Sequence, residues 1–398
     1  MEETLMTSSK LFEMRNLKIG LVCRFPLSKK FYSFQLAEGL RNLGAEVLLY
    51  GPKWGGLQTL KEDQRILKIW SPLTYIIDIP RRAIKDRVNI VHIQFEIPTF
   101  HLIGSLLLPL LLLILKVARK KVVITIHGPI FPREDSLKYL RFALPNFPFI
   151  RIAEFLLVGL YLLMDKLSDK IIVHAKVFKK WLTNFGLKKV YVIYHGIGEK
   201  EHESDHNRRR IILCLGTIAP RKGIDVFLRA IALVKDELKK KGLRVVIAGP
   251  HPSTLGNGRY FEKLLRLCRD LEEVIEMKGF LTDEILEDLL KETLVICLPY
   301  PTSVSASGIL EIAIRWNISA IVSNTVYFRE ILGDDYPLFF NVNDPQSLAT
   351  KICQVIKDEL NLQRVYEIYS HLMRRFSWYN IAHHHISVYN EISKKVRP

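Results

Sequence analysis

EKEHESDHNRRRIILCLG, residues 199–216, decides the fold. Its first twelve residues include no apolar side chain and cannot join a core; the next five are all apolar and end on a glycine. An apolar run of that length bounded by a turn residue reads as a buried parallel strand. One structural unit has therefore ended before residue 199, and another begins at 211. Upstream, short Val/Ile-rich strands alternate with helical periods: LKIGLVC (17–23), a helix over 35–44, EVLLYG (46–51), NIVHIQ (89–94), VVITIHG (122–128), KIIVHA (170–175) and VYVIYHG (190–196). Downstream the alternation restarts with IILCLG (211–216), a helix over 224–241, RVVIAG (244–249), a helix over 261–271 and VIEMKG (274–279). It continues with a helix over 283–292, LVICLP (294–299), a helix over 308–316 and AIVSN (320–324). Such alternation means parallel, doubly wound sheets. The expectation is an α/β protein of two Rossmann-like domains, 1–198 and 211–377, joined by a linker over 199–210. Ligands in open α/β sheets bind outside the carboxyl ends of the strands, so two such units facing each other would take them in the cleft between.

At 398 residues, 48% hydrophobic and 25% charged, the chain can bury two cores and has no low-complexity tract. The net charge of +17 is uneven: residues 1–200 hold 31 Lys and Arg against 16 Asp and Glu, the remainder 27 against 25. A basic half of this kind attracts nucleic acid, anionic lipid or a phosphorylated substrate alike. The five cysteines show neither paired nor metal-ligand spacing. Three lie in apolar runs, as buried free thiols in a reducing cytosol would. Residues 1–14 lack the order of a signal peptide. LIGSLLLPLLLLIL (102–115) would span only about 21 Å as a helix at about 1.5 Å per residue, against about 30 Å for a bilayer core. IAEFLLVGLYLLM (152–164) is shorter and holds Glu154. Both read as buried helices of the first domain, with partial entry into a membrane interface as the alternative.

The chemistry concentrates in LGTIAPRKGIDVFLRAI (215–231), where a strand ends at Gly216, a loop presents Arg221 and Lys222, and a helix follows. Two cations beside the free N–H groups of a helix start make an anion site. PYPTSVSASGILEIAI (299–314) offers a second cradle. Ser305, Ala306, Ser307 and Gly308 lack bulk, so their N–H groups can approach a phosphate. Glu311, one turn further on, can accept bonds from ribose hydroxyls. In the first half His127 ends the strand in ITIHG, while His92 and Glu96 in VHIQFE mark another strand end. The HHH run at 383–385 points three ways from a helix and makes no metal site.

In order and spacing these segments, together with HGIG (195–198), VVIAGP (245–250), KGFLTDEIL (278–286), NVNDPQSLATKI (341–352) and FSWYNIAHHHISVY (376–389), resemble the group 1, or family 4, retaining glycosyltransferases of GT-B fold. The resemblance covers most of the chain. It implies a nucleoside-diphosphate sugar as donor, with Arg221 and Lys222 holding the diphosphate. Gly279, Phe280 and Leu281 would lie against the base, Glu311 would bind ribose, His127 would stand near the reacting centre, and a last helix (about 378–398) would return to the first domain. Where the family's Glu motif has its first carboxylate this chain has Ser303, and RFPLSKKFYSF (24–34) replaces the usual glycine-rich loop. Catalysis would be electrostatic, with the N–H groups of Ser307 and Gly308 beside the two cations. No cofactor or metal ion is implied, and no D-x-D triplet is present. The basic half and its apolar helices suggest a lipid or lipid-linked acceptor on the cytoplasmic membrane face. The competing readings are a sugar-nucleotide epimerase on the same fold and a nucleic-acid-binding protein, against which no nucleic-acid motif appears.

Overall fold

A computed structural model of the chain describes residues 17–24, 31–53, 65–100, 102–130, 150–201, 209–250, 258–302 and 305–394. These pack as two compact units. Described residues of the first fall within Met1–Pro129, Phe155–Gly196 and Phe376–Pro398, and those of the second within Ile130–Glu154 and Ile197–Arg375.

The first unit is built on β1 (Lys18–Val22), β2 (Glu46–Pro52), β3 (Ile66–Trp70), β4 (Ile90–Phe95), β5 (Lys121–Ile126), β6 (Lys170–Val173) and β7 (Val190–Val192). Their order is β3-β2-β1-β4-β5-β6-β7, and every pairing is parallel. Strand β3 and the helix Tyr75–Lys85 are absent from the sequence reading. The strand is five residues interrupted by a lysine, and the helix carries Pro80, which breaks the sequence signal without breaking the helix. The second unit holds β8 (Ile211–Leu215), β9 (Arg244–Ala248), β10 (Ile275–Lys278), β11 (Thr293–Leu298), β12 (Ser319–Ser323) and β13 (Phe339–Phe340), ordered β10-β9-β8-β11-β12-β13 and again parallel throughout. Each sheet reverses its strand order beside its first strand, between β1 and β4 and between β8 and β11.

The two apolar runs form the helices Leu102–Val117 and Ile150–Leu167, but neither is buried all round. Leu108, Leu111, Leu112 and Leu115 of the first, and Leu160, Tyr161 and Met164 of the second, are buried. The opposite faces, also apolar, are exposed. The period of an amphipathic helix reports a buried face through its contrast with a polar one, and here there is no contrast to read. Among the described residues no helix is long and apolar enough to cross a membrane.

The closing helix Trp378–Lys394 packs on the helix Tyr32–Asn42 in the first unit. Its buried side chains include Ile381, His385, Ile386, Tyr389 and Ile392. Gly196 lies so close beneath Trp378 that a Cβ would sit 2.5 Å from the indole. Where the sequence predicts a linker over 199–210, both described ends belong to the second unit. Arg315 binds Glu201 at 3.1 Å, and Arg209 is buried with its guanidinium 3.5 Å from the Asn317 carbonyl. Absence of apolar side chains marks a segment without a core of its own, and here polar contacts tie its described ends to the second unit.

Candidate active site

In the second unit, β8 runs out at Gly216, whose φ of +124° turns the chain off the sheet. Ile218 and Ala219 are buried and pin the loop, and the 3-10 turn Pro220–Lys222 presents its two cations. Gly223, at φ +65°, then caps the helix Ile224–Lys240; a Cβ there would meet the Pro299 carbonyl oxygen at 1.8 Å. Gly249 passes as close to the Gly216 carbonyl, where a Cβ would come to 2.1 Å. These glycines draw the carboxyl ends of β8, β9 and β11 together at the point where the strand order reverses. That is where doubly wound sheets bind ligands.

Lys222 folds back over Gly216 and donates from Nζ to the Tyr300 hydroxyl at 2.6 Å, with the ring centroid 4.0 Å away. Burial, and then the charge of Arg221, push its pKa down to about 7. Among the described residues no carboxylate pairs with either cation. Two unneutralised positive charges, one of them withdrawn from water, are costly in an empty protein and favourable around an anion. Tyr300 cannot take the proton, because burial raises its own pKa to about 12.

The small-residue loop after β11 leads to the helix Gly308–Arg315. Ser307 caps it, its Oγ accepting from the Leu310 N–H at 3.2 Å and standing 3.3 Å from the Tyr300 hydroxyl. Its N–H, however, donates to the Tyr327 hydroxyl at 3.2 Å, so the expectation that Ser307 offers this group to an anion is corrected. Gly308 stands in open space, Ser305 and Ala306 are half-buried, and Ser303 lies outside the described residues. Sequence reasoning missed Tyr300 and Tyr327. The tyrosine in PYPTS, two residues past a strand end, was the available signal for the first; Tyr327 gave none.

Glu311 is 12% exposed and held from two sides. Its Oε1 accepts from the Gly198 N–H at 3.1 Å and pairs with Arg315 at 3.3 Å. Arg315, 7% exposed, spans to Glu201 at 3.1 Å. Oε2 has no partner among the described residues. Gly198 and Arg315 thus hold the same carboxylate oxygen. Gly279 accepts the Gly249 N–H at 3.0 Å, which sets the turn of Gly279, Phe280 and Leu281 beside the ends of β8 and β9. Phe280 is 58% exposed.

In the first unit His127 follows β5 and meets His174, which the sequence reading passed over. His174 Nδ1 lies 2.8 Å from the Ile193 carbonyl and so carries the proton; its Nε2 stands 3.2 Å from His127 Nδ1. Gln94 Oε1, an oxygen that only accepts, lies 2.7 Å from His127 Nε2, so the Nε2–H of the neutral ring donates to it. Tyr32 packs edge-on at 4.8 Å, its hydroxyl buried without a hydrogen-bond partner among the described residues. Burial foremost, and His195 next, push His127 down to about 3, so it is uncharged in the physiological range. His92 is fully buried, bonded through Nδ1 to the Tyr389 hydroxyl and through Nε2 to Thr125 Oγ1. Both nitrogens are committed to the core, which corrects its placement on an acceptor surface. Glu96 is exposed beyond β4. No group of three His, Cys, Asp or Glu side chains among the described residues could hold a metal ion.

The family model described as glycosyl transferases group 1 matches residues 198–371, and that of glycosyltransferase family 4 matches residues 31–200. The serotype-specific mannosyltransferase WbdA of Escherichia coli is 26% identical over 221 residues, spanning 50% of this chain and 26% of WbdA. An uncharacterized glycosyltransferase of Methanocaldococcus jannaschii is 24% identical over 234 residues, 57% of this chain and 60% of that one. The chain thus matches only part of the length of these relatives. Among solved structures, HepE of Anabaena in complex with UDP aligns with a TM-score of 0.68 at 14% identity, covering 94% of this chain and 100% of HepE. The sucrose-phosphate synthase of Thermosynechococcus elongatus aligns at 0.70 and 14%, covering 95% and 100%.

Proposed function

We propose, from the premise that this chain belongs to the group 1 glycosyltransferases and has the GT-B fold, that it moves a sugar from a nucleoside-diphosphate sugar to an acceptor hydroxyl. One observation carries the reading: Arg221 and Lys222, with no carboxylate partner among the described residues, stand beside two helix starts at the switch point of the second sheet. That HepE was solved with UDP, and that WbdA bears the name of a mannosyltransferase, support the same donor class. When the bond between the anomeric carbon and the β-phosphate oxygen breaks, its electron pair stays on the diphosphate. Arg221, Lys222 and the Gly308 N–H stabilise that charge, so the chemistry asks for no metal ion. Retention at the anomeric carbon goes with the family. Phe280 covers the base, Glu311 takes the ribose through Oε2, and His127 serves as an uncharged hydrogen-bonding dipole, not as a general acid. The acceptor is lipid-linked and is met on the cytoplasmic membrane face, a reading that the excess positive charge of residues 1–200 supports.

Melting curves of the protein with a panel of nucleoside diphosphates and their sugars test the donor reading: the matching nucleotide raises the melting temperature. No shift with any member would overturn it. The pH dependence has a definite sign. Free Lys222 loses its proton above about pH 7, whereas a bound diphosphate keeps it charged. Binding therefore takes up a proton, and affinity falls by at most about tenfold per pH unit above 7. A flat affinity between pH 7 and 9 would remove Lys222 from the site.

Glu311→Gln is expected to raise the donor KM about tenfold, the cost of one charge-assisted hydrogen bond, with a smaller effect on kcat. Arg315→Met should move KM the same way by releasing the carboxylate. An unchanged KM in both proteins would return Glu311 to a structural role.

A further inference from the structure

The helices Leu102–Val117 and Ile150–Leu167 present apolar side chains where such helices ordinarily present charge. On the first, Leu106, Leu110, Leu113 and Val117 follow one another at helical spacing along the outward face, Val117 being 76% exposed. The outward face of the second carries Phe155, Leu156, Leu162 and Leu163, with Phe155 77% exposed. In the second unit of the same protein the helix Ile224–Lys240 meets water with Arg229, Asp236, Lys239 and Lys240. The contrast belongs to these two helices and not to the fold.

Both helices end in cations. Lys116 closes the first and Lys166 the second. Lys189 lies near enough to Lys116, and to Asp165 in the last turn of the second helix, for both charges to bear on it. The two C-terminal ends therefore share one edge of the unit. Residues 102–130 and 150–189 together contain twelve Lys and Arg against three Asp and Glu. Two of the three acids are engaged internally: Asp165 accepts from the Lys188 and Lys189 N–H groups, and Asp169 from the Val122 N–H. An apolar face edged by unneutralised cations matches the boundary between acyl chains and anionic headgroups.

We infer that this face is a membrane-docking surface. The outward leucines and Phe155 enter the acyl boundary, while the exposed Lys116 and Lys166 lie on anionic headgroups. The charge pattern favours a lipid over a protein occupant. The inference deepens the lipid-acceptor reading above, and it is tested by binding alone, apart from transfer.

The full chain is floated with phosphatidylcholine vesicles, with and without phosphatidylglycerol. Binding is expected to the anionic vesicles and to weaken with salt, since charges are screened over about 10 Å at 0.1 M. The Leu110→Glu, Leu113→Glu double variant, altered at positions 44% and 47% exposed, should keep the wild-type melting temperature and its shift with nucleotide, and partition about tenfold or more less well. Failure of the wild type to bind anionic vesicles at low salt would overturn the inference. So would undiminished binding by the double variant, or a wild-type dimer that the variant dissolves in the absence of vesicles. A missing nucleotide shift with intact vesicle binding would count against the donor reading and leave this one standing.

Discussion

The Arg221→Ala protein is expected to melt at the wild-type temperature and to transfer sugar about ten- to a hundredfold more slowly. The size follows from one charge-assisted hydrogen bond of about 1.5–3 kcal/mol, at 1.36 kcal/mol per decade of rate. Stability is spared because Arg221 has no partner among the described residues to lose; removing an unneutralised cation beside Lys222 relieves repulsion. Lys222→Ala should lose more, since its ammonium is the buried one and is oriented by Tyr300. In that variant Lys222 ceases to titrate, and the fall of nucleotide affinity above pH 7 should disappear. Transfer assays and melting curves on both proteins check this; wild-type rates from either would empty the proposed site of its leading residues.

Gly223→Ala has the opposite profile. A methyl group there would meet a backbone oxygen at 1.8 Å, and the residue holds a φ of +65° that non-glycine residues occupy at a cost. Neither the Pro299 carbonyl nor the start of the helix Ile224–Lys240 can yield without moving the other. The variant should lose about 2–4 kcal/mol of stability, the range of substitutions that force the backbone apart. At temperatures where it remains folded it should bind nucleotide poorly, because any relief displaces Lys222, the preceding residue. Chemical denaturation and nucleotide titration would show both effects. A stable variant with wild-type affinity would mean that the loop is not held where it stands.

Much of the fold is legible in the sequence. The apolar run from Ile211 and the glycines at strand ends are local signals, and the strand β8 and the turns at Gly216 and Gly223 follow from them. Strand β3 was not legible, because its neighbours across the sheet, and not its own five residues, make it a strand. Nor were the partners of the site. That Tyr327 occupies the Ser307 N–H, and that Arg315 and Gly198 orient Glu311, depend on segments brought together by the fold. His92 illustrates the same point from the other side. In the sequence it resembles a strand-end site residue; the structure sets it inside β4, bonded to Thr125 and to Tyr389, 297 positions later, as part of the core.

That long-range bond bears on how the chain comes to be folded. The first sheet is complete at Val192, yet the layer over one of its faces includes a helix that begins at Trp378. As the polypeptide leaves the ribosome, the earlier-made half must wait, its His92 and the surface around Gly196 uncovered, while some 180 further residues are synthesised and the second unit can already close. The half made first is finished last. A nascent chain halted before residue 376 would hold a finished second unit attached to an open-faced first one, a form for chaperones to shield and proteases to find.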